Sequence, residues 1–199
     1  MRLIRRRTLG IAFLGMALFG METYEKRLRA EVGDGAASKR VRALDGEVAT
    51  APRLVPASSL LEVPVLGVDR SSLVDSFSDP RGGDRRHEAI DIMAPRGTPV
   101  VAVEKGTIRK LFVSRAGGLT IYQLDPTGAR MYYYAHLDRY AAGLTEGKLV
   151  ARGDVIGFVG TSGNAPAHAP HLHFGITELP PSREWWKGEA IDPYPLLVR

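Results

Sequence analysis

The stretch from Gly97 to Leu137, "GTPVVAVEKGTIRKLFVSRAGGLTIYQLDPTGARMYYYAHL", is a succession of short β-branched and aromatic runs split by Gly, Pro and Asp. Gly106, Gly117–Gly118 and the "DPTG" at 125–128 mark turns between strands, and "TEGKLVARGDVIGFVGTSG" at 145–163 continues the pattern. No long amphipathic helix interrupts these runs. Strands of this length and spacing predict an all-β domain, a compact antiparallel β-sandwich. Its start is placed near Leu61, so the domain covers residues 61–199.

The 60 residues before it differ in character. They hold 11 Lys and Arg against 6 Asp and Glu, whereas residues 61–199 hold 16 of each. The whole basic excess of the chain therefore lies in this segment. A neutral main domain argues against a nucleic-acid partner, which needs clustered positive charge. "MRLIRRR" followed by the apolar "TLGIAFLGMALFG" gives residues 1–21 the layout of a secretory signal. The apolar run is shorter than the ~20 residues of a comfortable span, and no small-x-small cleavage site stands near Gly20. A cleaved signal peptide and a short N-terminal membrane anchor are both open. In either case Arg5, Arg6 and Arg7 direct the rest of the chain outward, to the periplasm or cell envelope. Residues 22–60 read as a short helix followed by a flexible linker rich in Gly, Ala, Ser and charge. The chain has no cysteine, which excludes disulfides, thiolate zinc sites and a lipid-modified N-terminal cysteine.

The chemistry-bearing residues are five histidines: His87, His136, His168, His171 and His173. In "APHLHFG", 169–175, a strand would set His171 and His173 on one face and turn Leu172 into the core. In "HEAID", 87–91, spacing of four brings His87 and Asp91 to one face of either a strand or a helix. His87, Asp91 and one histidine of the pair supply three N/O ligands, the layout of a catalytic zinc site with an open fourth position. The other histidine of the pair and His136 then lie close enough to take a proton or stabilise an oxyanion. "HEAID" also begins like the helical His-Glu-x-x-His signature, in which the glutamate is the base. Asp91 stands where the second histidine would be, and Gly82, Gly83 and Pro95 bracket the segment. Glu88 is therefore read as a solvated carboxylate, and His168 as a loop histidine. Trp185 and Trp186 in the Pro-rich tail are read as covering the edge of the core.

"RHEAIDI" (86–92), "YYYAHL" (132–137) and "HLHFGI" (171–176), in this order, resemble the lysostaphin-type, LytM-like zinc endopeptidases. "DSFSDPR" (75–81), "APRGTPVVAVEKGTI" (94–108), "GDVIGFVGTSGNA" (153–165) and "IDPYPLL" (191–197) supply similar context, so the likeness covers roughly residues 65–197. It implies a β-sandwich with a groove over Zn²⁺ held by His87, Asp91 and His173. It implies His171 as general base and His136 as transition-state donor, with peptide bonds of bacterial peptidoglycan as substrate. A direct D,D cross-link is the expected bond. The family often has Gly where Ala89 and Ser78 stand, which bears on groove shape more than on the metal.

Two other readings fit parts of the sequence. A non-catalytic LytM-like regulator that activates cell-wall amidases would lack ligands or catalytic histidines, and here all five positions are filled. A lipoyl- or biotinyl-type carrier, with Lys105 modified, matches "PVVAVEKGTI" and "EGKLVARGDVIGFVG" but leaves the histidines unexplained.

Overall fold

The computed structural model describes residues 60–198. The expected signal or anchor and nearly all of the linker lie outside the described residues. The described chain is β throughout, apart from a 3-10 turn at Arg70–Ser72 and a terminal helix α1 at Tyr194–Val198. The strands are β1 (Ile90–Met93), β2 (Pro99–Val101), β3 (Gly106–Ser114), β4 (Gly118–Leu124), β5 (Arg130–Tyr140), β6 (Leu149–Val150), β7 (Val155–Val159), β8 (His171–Glu178) and β9 (Glu189–Ile191).

Every strand pairing is antiparallel, with the main path running β1-β8-β5-β4-β3-β6. All nine strands belong to one hydrogen-bonded sheet, where the sequence led us to expect a sandwich. The long β5 is the reason. It pairs β8 from Arg130 to Ala135, and then pairs β7 from Leu137 to Tyr140. β7 in turn carries β2, so β5 passes continuously from one part of the sheet to the other.

Alternation along β8 divides the two faces. Leu172, Phe174 and Ile176 are almost fully buried on one side, in a core shared with Ile90, Ile92, Ile121, Tyr132, Tyr134 and Leu137. Burying each such side chain contributes about 1.5–3 kcal/mol, which fixes the strand register firmly. His171, His173 and Gly175 fall on the other side. Inside the core a polar chain is closed by hydrogen bonds: the Tyr134 hydroxyl donates to Gln123 Oε1 at 2.7 Å and accepts from the Val103 N–H at 3.2 Å. Trp185 packs edge-on against Tyr122, centroids 5.0 Å apart, and Tyr122 in turn meets Tyr133, so this tryptophan is buried on the sheet face of His173 rather than at the edge of the core.

Candidate metal centre

Sheet register brings two of the expected ligands together. Asp91 on β1 stands directly opposite His173 on β8, so both side chains leave the same face. His87 precedes β1 on a loop segment whose N–H groups at His87 and Glu88 bond to Asp79 and Phe77 carbonyls at 2.9 Å each. This segment is neither helix nor strand. Glu88 sits in it with φ +56°, outside the cluster, so no zincin-type helix forms.

The outcome is a triangle. His87 Nε2, Asp91 Oδ1 and His173 Nδ1 lie 3.0 Å from one another along all three edges. A tetrahedral ion with bonds of about 2.0–2.1 Å would require an edge of about 3.3 Å, so the donors are already at near-coordinating separation. Among the described residues this is the group able to hold a metal ion.

Backbone carbonyls fix the tautomers. A carbonyl oxygen only accepts, so each ring nitrogen facing one carries the proton. His87 Nδ1–H donates to Ser76 O at 3.0 Å, His136 Nδ1–H to Ser162 O at 2.9 Å, and His171 Nδ1–H to Ala169 O at 2.9 Å. When neutral, all three then present an unprotonated Nε2. For His87 this lone pair points into the triangle, the outer-sphere arrangement that orients a metal-binding imidazole. His171 Nε2 stands 3.8 Å from Asp91 Oδ1, outside the triangle but facing it. The His136 ring lies 4.9 Å from that of His171 and 5.6 Å from that of His173.

His136 reaches this face by a distortion. Continuing the β5–β8 register past Ala135 and His173 would set His136 opposite Leu172, toward the core. The β4–β5 register slips between Leu119 and Ile121, so Thr120 faces two residues of β5, Ala135 and His136. His136 takes φ +61° in this bulge, and its N–H bonds to Gly117 O at 2.8 Å. The bulge re-aims the imidazole to the face of His171 and His173.

The electrostatics combine one ionised carboxylate with imidazoles held neutral by burial. Burial works against ionised Asp91, but its close polar contacts with His173, His87 and Arg81 outweigh it and hold the carboxyl well below the ordinary range. Burial pushes His136 down to about 4, only partly offset by the Ser162 carbonyl, and it lowers His173 as well. Neutral His136 is therefore a proton acceptor, and a donor role requires that it first gain a proton at Nε2. His168 is exposed in the loop before β8 and takes no part. The carbonyls of Ser76, Ser162 and Ala169 went unnoticed in the sequence, since any residue type supplies one. Arg81, whose NH2 group donates to Asp91 Oδ2 at 2.5 Å, was visible only as context in "DSFSDPR".

The sequence profile of peptidase family M23 matches residues 85–193, which include His87, Asp91, His136, His171 and His173 but not Arg81. The chain belongs to peptidase family M23. A solved M23 relative is the catalytic domain of lysostaphin from Staphylococcus simulans, with 32% identity over 58% of this chain and 83% of that one, at a TM-score of 0.50. The L-Ala–D-Glu endopeptidase of Bacillus subtilis is 38% identical over 129 residues, 61% of this chain and 38% of its own length. The DD-carboxypeptidase/endopeptidase Mpg of Neisseria meningitidis serogroup B is 40% identical over 91 residues, 45% of this chain and 20% of its own. This M23 chain thus spans well under half the length of both curated relatives.

Proposed function

We propose that this protein is a zinc-dependent endopeptidase that hydrolyses peptide cross-links of bacterial peptidoglycan, acting at the D,D bond. The observation that carries the proposal is the triangle of His87 Nε2, Asp91 Oδ1 and His173 Nδ1, with two further imidazoles facing it. Two nitrogens and one carboxylate oxygen without a thiol suit catalytic zinc. When bound there, zinc supplies the Lewis acidity that makes water nucleophilic near neutral pH.

The remaining chemistry belongs to the chain's own groups. His171 Nε2, kept unprotonated by the Nδ1–H bond to Ala169, accepts the proton of the attacking water and returns it to the leaving amine. His136 shares that wall of the site. Once protonated at Nε2, it donates to the developing oxyanion, with Ser162 holding its ring. The N-terminal segment is proposed to carry the domain to the periplasm or cell envelope, cleaved or as an anchor.

A second bond is favoured by one finding. The likeness to the Bacillus L-Ala–D-Glu endopeptidase extends over 129 residues, against 91 for the Neisseria enzyme. Digestion of defined cross-linked and linear muropeptides, followed by mass spectrometry, separates the two. Loss of dimers without shortening of stems supports the D,D bond, whereas release of L-Ala from stems supports the other. Chelator should abolish either activity. Zinc-loaded protein that cuts nothing yet stimulates an amidase would replace the enzyme reading with that of a regulator.

A further inference from the structure

Asp91 uses its two oxygens differently. Oδ1 faces His87 and His173 at 3.0 Å, while Oδ2 accepts the Arg81 guanidinium at 2.5 Å. The hairpin of residues 80–86 delivers that guanidinium. Pro80 and Arg86 form an antiparallel bridge, Arg81 N–H bonds to Arg85 O at 3.0 Å, and Arg85 donates back to Arg81 O at 2.9 Å. Gly82 and Gly83, both at positive φ, make the turn. The strap is tied down beyond Arg86, where His87 N–H bonds to Asp79 O at 2.9 Å. The same short segment therefore holds a ligand, His87, and the group that grips a second ligand, Asp91.

We infer that Arg81 is a positioning residue for the metal: by occupying Oδ2 it confines Asp91 to one-oxygen ligation and keeps the remaining coordination position free for water and substrate. This rests on the reading of the cluster as a zinc site. Free of Arg81, the carboxylate could rotate about its last bond, offer both oxygens to the ion, or turn out to solvent. The positive charge of Arg81 opposes a nearby cation. Its side chain is 45% exposed, however, so solvent screens that repulsion, while the direct hydrogen bond to Oδ2 does not depend on long range. Orientation is therefore expected to outweigh the field. Loss of such an outer-sphere partner typically weakens metal binding about 10–100-fold.

The test is zinc affinity by chelator competition on the full chain, for unsubstituted protein, Arg81→Ala and Arg81→Lys, with thermal melting of each metal-free form. We expect Arg81→Ala to raise the zinc Kd about 10–100-fold, and Arg81→Lys to recover part of that loss. With half the side chain in water, the metal-free melting temperatures should stay close. Unchanged or tighter zinc binding by Arg81→Ala overturns the inference, as does an equal loss when Asp91→Asn is already present, since Arg81 would then act elsewhere. If Arg81→Ala fails to fold, the Arg81→Lys value and its cycle with Asp91→Asn decide the matter by the same criteria. No zinc binding by the unsubstituted protein removes the metal reading itself, and this inference with it.

Discussion

At the scale of single residues, the proposed function assigns the site's groups to two sets, those that would hold a metal and those that would handle protons. His171 belongs to the second set: its Nε2 is 3.8 Å from Asp91 Oδ1, while the triangle edges are 3.0 Å. His171→Ala should therefore retain zinc while losing about 10²–10⁴ in turnover, the usual contribution of a positioned base. His173→Ala should lose the metal. Zinc content and hydrolysis measured on the same preparations check both, and a zinc-free His171→Ala would reverse the assignment. The alternation of His171, Leu172 and His173 could be read directly from the sequence, because a strand has a fixed period of two. So could the approach of His87 to Asp91. The order within the pair could not, since the alternation places both imidazoles on the same face. It follows from distance: His173 Nδ1 lies 3.0 Å from Asp91 Oδ1 and His171 Nε2 3.8 Å, a difference of backbone placement that leaves no mark on a sequence. Arg81 was hidden for a related reason: an arginine in a polar turn looks solvated until the hairpin folds it over Asp91.

At the scale of elements, the site depends on irregular places in a regular sheet. A one-residue slip in register flips a side chain to the opposite face, and the bulge at Ala135–His136 uses that rule to bring His136 over. Nothing in "YYYAHL" announces it, because the residue at φ +61° is a histidine and not a glycine. The loop of residues 160–164 buttresses the bulge. Ser162 O holds the His136 ring, Ser162 Oγ accepts the Leu119 N–H at 2.9 Å and its hydroxyl donates to Leu137 O at 2.7 Å. Gly163 lets this loop approach. It has φ +76°, and a Cβ there would fall 2.2 Å from Ala116 O and 2.3 Å from Gly118 N. Gly143 has a similar φ of +69° with nothing within 4 Å. Gly143→Ala should cost only the left-handed backbone penalty of about 1–2 kcal/mol. Gly163→Ala should cost distinctly more in denaturant unfolding, and should lower turnover because the Ser162 carbonyl moves. Equal losses in the two variants would mean that the loop is not held as tightly as these distances imply.

At the scale of the whole molecule, the domain stores neutral imidazoles in a buried place, and its stability must answer to pH. Burial lowers the pKa of His136 to about 4 and lowers His173 too, while an unfolded histidine titrates near 6.5. Between these values the unfolded chain binds more protons than the folded one, so folding loses free energy as pH falls. The stability is fully present above about pH 6.5 and is lost as pH descends toward about 4. At pH 5, His136 alone accounts for about 2 kcal/mol of that loss, because each pH unit below the unfolded pKa weakens folding by about 1.4 kcal/mol while the folded imidazole stays neutral. Asp91 does not confuse the window. Its carboxyl is held far below the ordinary range, so its own contribution is lost only below the unfolded value of about 3.9. For metal-free protein in chelator, the melting temperature should therefore fall by about 5–10 °C between pH 7 and pH 5. Replacing His136 with Gln, which has no proton to take up, should flatten part of that slope. A melting temperature that stays level across the window would show that the imidazoles are not held neutral by burial, and would remove the reason for treating His136 as an acceptor at rest.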